Sequence, residues 1–73
     1  MTGEELRDLR LALGLTQVQM GGLLGVHRNT IRRYEVGERR ITAHFALFVV
    51  ESARRLAEER EKEERQRRAR SRP

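Results

Sequence analysis

"LTQVQMGGLLGVHRNTIRRYEVG", residues 15–37, decides how this chain folds. It reads as two short helices joined at a glycine. Thr16 and Gln19 form T-x-x-Q, a capping box in which two side-chain oxygens satisfy free backbone N–H groups at a helix start. Val18, Met20, Leu23 and Leu24 supply the apolar positions of this helix, and Gly25 ends it, since glycine tolerates the left-handed cap conformation. Gly21 and Gly22 lie inside it, each costing about 1 kcal/mol relative to alanine. Close approach of another helix accounts for Gly21; the sequence offers no reason for Gly22. Val26 leads into the next helix, which runs to about Val36 and stops at Gly37. At 100° per residue, Ile31 and Tyr34 share one side of it, flanked by Thr30 and His27. Asn29, Arg32 and Arg33 point the other way, and Arg28 lies at the boundary. This central helix has a narrow apolar stripe and a broad face of hydrogen-bond donors.

Outward from this stretch every signal is helical. Upstream, Thr2 and Glu5 form a capping box, and Leu6, Leu9 and Leu13, with Ala12 beside them, make an apolar stripe that Gly14 closes. Downstream, "GERR" (37–40) is a polar loop. Thr42 is the N-cap of a last helix, with Ile41 before it as a staple residue. That helix has no internal Gly or Pro. Phe45, Phe48, Val49, Ser52 and Leu56 fall on one face and Ala46, Val50, Ala53 and Ala57 on the next, with Leu47 further round. The apolar surface is wider than packing against three short helices requires. Beyond Ala57 the apolar positions cease. Glu58–Lys62, Glu61–Arg65, Glu63–Arg67 and Glu64–Arg68 are i,i+4 pairs that extend the helix as a solvated rod, fraying before "RSRP". The expected fold is all-α, with residues 1–57 as the domain and 58–73 as a charged extension.

A chain of 73 residues makes one small domain and hides only about 60% of the surface its unfolded form exposes. Small chains compensate with disulfides, metals or oligomers. Cysteine is absent and the two histidines do not cluster, so self-association is the option left. No apolar run reaches the roughly 18 residues of a spanning helix, and the acidic start is unlike a signal peptide. A cytoplasmic protein with no membrane partner is expected. The net charge of +5 is unevenly spread. Residues 27–40 carry five basic and two acidic groups, and residues 65–73 carry five arginines and no acid. Localised positive charge points to a polyanion. Arginine can bond bidentately to guanine and asparagine to adenine in the major groove. No nucleophile–base constellation, metal-ligand set or phosphate-binding glycine loop is visible, so neither an enzyme nor a cofactor is expected.

Residues 4–37 resemble the helix-turn-helix domain of the lambda-repressor/Cro-like (XRE) family. "LRLALGLTQVQMGGLLGVHRNTIRRYEVGE" (9–38) matches its R-x-x-x-G-L-T-Q, a small residue four places after the glutamine, G-V four places later, and then I-x-x-Y-E-x-G. The resemblance implies a small lambda-repressor-like bundle, here with a long C-terminal helix. It places Gly21 where the two helices cross, Gly25 in the turn, and Val26, Ile31 and Tyr34 in the core. It implies that Arg28, Asn29 and Arg33 reach base edges, with Arg32 on a base or a neighbouring phosphate. Gln17 would bond a phosphate, His27 and Thr30 would touch backbone or a thymine methyl, and Arg39 and Arg40 would sit by phosphates. Arg10 and Glu35 match a partly buried structural ion pair.

Three departures stand out. His27 replaces the usual Ser or Thr cap, which leaves either a weaker cap or a side chain recruited to DNA. Gly21–Gly22 replaces a more helical pair. One long helix replaces two short ones at the end.

The expected function is a transcriptional regulator binding double-stranded DNA, a homodimeric repressor controlled by its own concentration. Its two reading helices would lie about 34 Å apart. Phe45, Phe48, Val49, Ser52 and Leu56 are the expected dimer surface. The compact form also resembles the small regulators beside phage anti-CRISPR genes, which repress their own operons. The alternatives are an antitoxin, whose last helix binds a toxin protein, and an RNA-binding translational regulator using the arginine-rich end. That end could equally follow DNA backbone or remain solvated.

Overall fold

Thr2 and Thr16 open helices as their spacing demands. In the computed structural model, which describes residues 1–70, α1 spans Gly3–Ala12 and α2 spans Gln17–Leu24. Both carry complete capping boxes: Glu5 N–H donates to Thr2 Oγ1 and Thr2 N–H to Glu5 Oε1, and Gln19 and Thr16 repeat the exchange. Helix α3 spans Arg28–Glu35, and α4 runs from Ala43 to Arg70. Thr42 caps α4 by accepting from Phe45 N–H at 3.1 Å. The helix does not fray before "RSRP" as expected, since α4 continues through Arg70; the rest of that stretch, residues 71–73, lies outside the described residues.

The protein is all-α among the described residues, a bundle of three short helices on one long one. Helix α2 packs on α3, α1 on α3, and α2 on α4. Leu6, Met20, Ile31 and Val49 are fully buried, one from each helix, and Leu24, Tyr34 and Ile41 complete the core. Each such burial contributes about 1.5–3 kcal/mol against the entropy of ordering the chain.

Several expectations are corrected here. Val18 is not a core residue; it is 58% exposed, because it faces the open groove shared with Arg28, Asn29 and Arg32 rather than the core. Ala12 is exposed, and Val26 is only half-buried. Val49 cannot belong to a dimer surface, because it is fully buried within its own chain. Glu58 pairs with Arg54 at 2.6 Å rather than with Lys62, and Glu63 takes part in no ion pair among the described residues. Glu61–Arg65 and Glu64–Arg68 form as the spacing requires. The rod is also less detached than its composition suggests. Arg60 donates to the carbonyl of Leu13 at 2.7 Å, tying α4 to the end of α1 beyond the last apolar position.

Candidate nucleic-acid interface

The turn between α2 and α3 fixes where the donor face points. Gly25 caps α2 at φ 72°, the left-handed region, and Val26 N–H closes the turn on Gly21 carbonyl oxygen at 2.9 Å. Side chains with a Cβ rarely adopt that φ. The crossing is tight. A Cβ on Gly21 would stand 2.5 Å from Val26 carbonyl oxygen, whereas one on Gly22 would meet nothing within 4 Å. The close approach expected at Gly21 is therefore real, and nothing in the structure explains Gly22.

His27 resolves the question raised by its place in the motif. Its Nδ1 accepts from Asn29 N–H at 3.1 Å, with φ −70° and ψ 150° at the cap position. The imidazole acts as an N-cap while its ring stays exposed. The neutral tautomer with the proton on Nε2 is the one that can do this.

Helix α3 divides by burial. Ile31 and Tyr34 are 0% and 6% exposed, while Arg28, Asn29, Arg32 and Arg33 are all exposed and Thr30 is half-buried. An open groove between α2 and α3 brings Gln17, Val18, Arg28, Asn29 and Arg32 together. Arg33 is outside this groove on the same helix.

The single acid of α3 is turned away from the donors. Glu35 receives Arg10 Nε at 2.8 Å and Arg10 Nη2 at 3.0 Å, a bidentate pair whose side chains are 4% and 11% exposed. Arg10 also donates to Leu15 carbonyl oxygen at 3.0 Å. The hydrogen bonds to Glu35 raise the Arg10 pKa above its ordinary value, so the guanidinium stays charged and its charge is spent internally. Gln17 Nε2 donates to the same carboxylate at 3.3 Å. One of its two amide hydrogens thus has an internal partner, leaving the other for an outside acceptor. The pair therefore joins α1, α2 and α3 and removes a carboxylate from the donor face.

Arg39 and Arg40 are exposed in the loop after α3. Arg39 lies over the Tyr34 ring, 5.4 Å from its centroid, and Tyr34 stacks on Phe45 at 5.0 Å. Sequence reasoning missed this aromatic run, which continues to Phe48 at 6.0 Å. It also missed Gly3, where a Cβ would stand 2.1 Å from Tyr34 carbonyl oxygen. Glycine inside a capping box carries no signal of that contact.

Two helices crossing at a glycine turn, with the second presenting donors outward, define a DNA-binding regulatory domain. A family model described as helix-turn-helix matches residues 6–51, which is more than half of the chain. The chain belongs to that family, of the lambda-repressor-like (XRE) kind, and is a DNA-binding regulator. No match is found among curated proteins or among solved structures. Among the described residues no helix is long and apolar enough to cross a membrane.

Proposed function

We propose that the chain is a dimeric repressor that occludes a promoter, its own among them, by placing α3 of each copy in the major groove of a pseudo-palindromic operator. One observation carries this reading: α3 buries Ile31 and Tyr34, hides Glu35 against Arg10, and leaves Arg28, Asn29, Arg32 and Arg33 exposed. A helix whose one carboxylate is withdrawn and whose exposed face carries three arginines and an asparagine suits the base edges, where each good bidentate contact discriminates by about 1–3 kcal/mol.

In this reading Arg28, Asn29 and Arg33 read bases, and Arg32 takes a base or the neighbouring phosphate. Gln17 offers its remaining amide hydrogen to a phosphate from the start of α2. His27 and Thr30 line the backbone side of α3, with Arg39 beyond them. Val18, exposed next to Arg28, is the apolar residue lining the groove with Gln17, Asn29 and Arg32 and suits a thymine methyl. Residues 1–57 act as the binding unit and 58–73 as its charged extension.

Selection of bound sites from random duplex DNA tests the proposal. The expected product is an inverted repeat whose half-site centres lie about 34 Å apart, one helical turn. Failure to enrich any duplex sequence, or stronger binding to RNA competitor, would reject it.

A further inference from the structure

Two flanks of α4 are left uncovered by the other helices. On one, Leu47 and Val50 are 72% and 52% exposed, but Arg54 interrupts them and already has carboxylates on both sides, Glu51 and Glu58. On the other, Phe48 stands 46% exposed between two concavities. One, of about 300 Å³, is lined by Leu23, Phe48, Ser52, Arg55, Leu56 and Glu59. The second, of about 480 Å³, sets Arg40 and His44 at the rim of the Tyr34–Phe45–Phe48 aromatic wall, with no acid among its lining residues.

Arg55, which lines this flank between Phe48 and Glu59, is engaged by Glu51 at 3.5 Å, and the charges left over are ordered along the chain. Arg40 and His44 precede Phe48; Glu59 follows it, and Glu63 lies one helical turn further on. None of these four has an ion-pair partner among the described residues. A face basic at one end and acidic at the other complements a copy of itself only when the two run antiparallel.

We infer that this flank binds a second copy of the chain, with the two α4 helices antiparallel about a twofold axis at Ser52. The inference deepens the proposed dimer and rests on that reading. Ser52 is the smallest side chain on the flank and permits close approach at the axis. The register sets Phe48 opposite Leu56 of the second copy, inside the groove that Leu56 shares with Leu23. Glu59 of that copy then comes to His44, and its Glu63 to Arg40. Arg40, which the family resemblance sets beside a phosphate, is here given to the second copy.

The helix bundle covers α4 from Phe45, stacked on Tyr34, to Arg60, bonded to Leu13. Ser52 lies midway along this span. The twofold therefore sets the two bundles side by side, burying the flank along its whole covered length.

The absence of cysteine makes the test clean. Helices in contact lie about 8–10 Å apart, which brings Cα atoms at the crossing into disulfide range. Ser52→Cys in the full chain should oxidise to a covalent dimer on non-reducing electrophoresis, and Val50→Cys on the other flank should not. By sedimentation equilibrium without DNA, Arg40→Glu and Glu63→Arg should each weaken the dimer about tenfold, and the double variant should recover most of the loss. A dimer that Ser52→Cys fails to cross-link and the charge swap fails to rescue overturns this interface while leaving dimerism standing. A chain that sediments as a monomer at every concentration overturns the dimer reading itself, and this interface with it.

Discussion

Two neighbouring glycines should respond to alanine in opposite directions. In helix interiors alanine is favoured over glycine by about 0.8–1 kcal/mol, because it restricts the unfolded chain more. At Gly22 an added Cβ meets nothing within 4 Å, so the whole gain is realised. Gly22→Ala should stabilise the fold by about 1 kcal/mol, raising Tm by about 4–8 °C for a domain of this size. At Gly21 the same methyl stands 2.5 Å from Val26 carbonyl oxygen and 3.3 Å from Arg28 N. The first contact falls short of ordinary van der Waals distance by about 0.9 Å. Both atoms are backbone, so neither can rotate aside, and α2 and α3 must move apart. Overpacking of this kind costs about 1–3 kcal/mol, which exceeds the propensity gain. Gly21→Ala should be net destabilising and should weaken operator binding beyond its effect on folding, since α3 is displaced relative to Gln17. Urea unfolding followed by circular dichroism measures the first effect, and titration of duplex operator at a concentration where the variant is folded measures the second. Equal stabilisation by both substitutions would refute the reasoning, because it would mean that the helices do not meet at Gly21.

Further substitutions probe the donor helix and the contacts that hold it. Arg33→Ala should lose about 1–3 kcal/mol on the specific site and relax base preference at one position per half-site; uniform weakening on all sequences in a competition assay would make Arg33 a phosphate ligand. Glu35→Ala leaves the Arg10 guanidinium largely buried without its carboxylate, so stability in urea should fall by about 3–5 kcal/mol. The paired Arg10→Met, Glu35→Leu variant should lose less, and an equal loss would show that the pair does not act as a unit. His27→Ala removes the Nδ1 acceptor and should cost about 1 kcal/mol, which His27→Ser should restore. Operator affinity that stays low in His27→Ser would add a DNA contact to the role of His27 as a cap.

Local chemistry made most of the fold readable in the sequence. Thr2, Thr16 and Thr42 start helices, and Gly14, Gly25 and Gly37 take positive φ where the helices stop, because capping is decided within four residues along the chain. The sorting of α3 into Ile31 and Tyr34 against Asn29, Arg32 and Arg33 was legible for a similar reason. Helical period alone separates those faces. The Arg10–Glu35 pair, 25 positions apart, came only through resemblance to a family. No local rule links them.

What the sequence could not decide depends on which helix stands beside which. Val18 satisfies the apolar pattern of α2, yet it lines the donor groove instead of the core. Val49 and Phe48 are adjacent and equally apolar, and α4 turns one wholly into the core and the other half out. Gly3 and Gly22 look alike as helical glycines, but only Gly3 has the backbone of α3 against it. His27 looked like a poor cap until its ring was placed within reach of Asn29 N–H. Periodicity names the face of a helix, but burial is a property of the pair in contact. The sequence by itself therefore determined the helices, their ends and the donor face of α3. The tertiary structure alone decided that Val18 is left in the donor groove, and that Phe48, rather than Val49, is left half exposed.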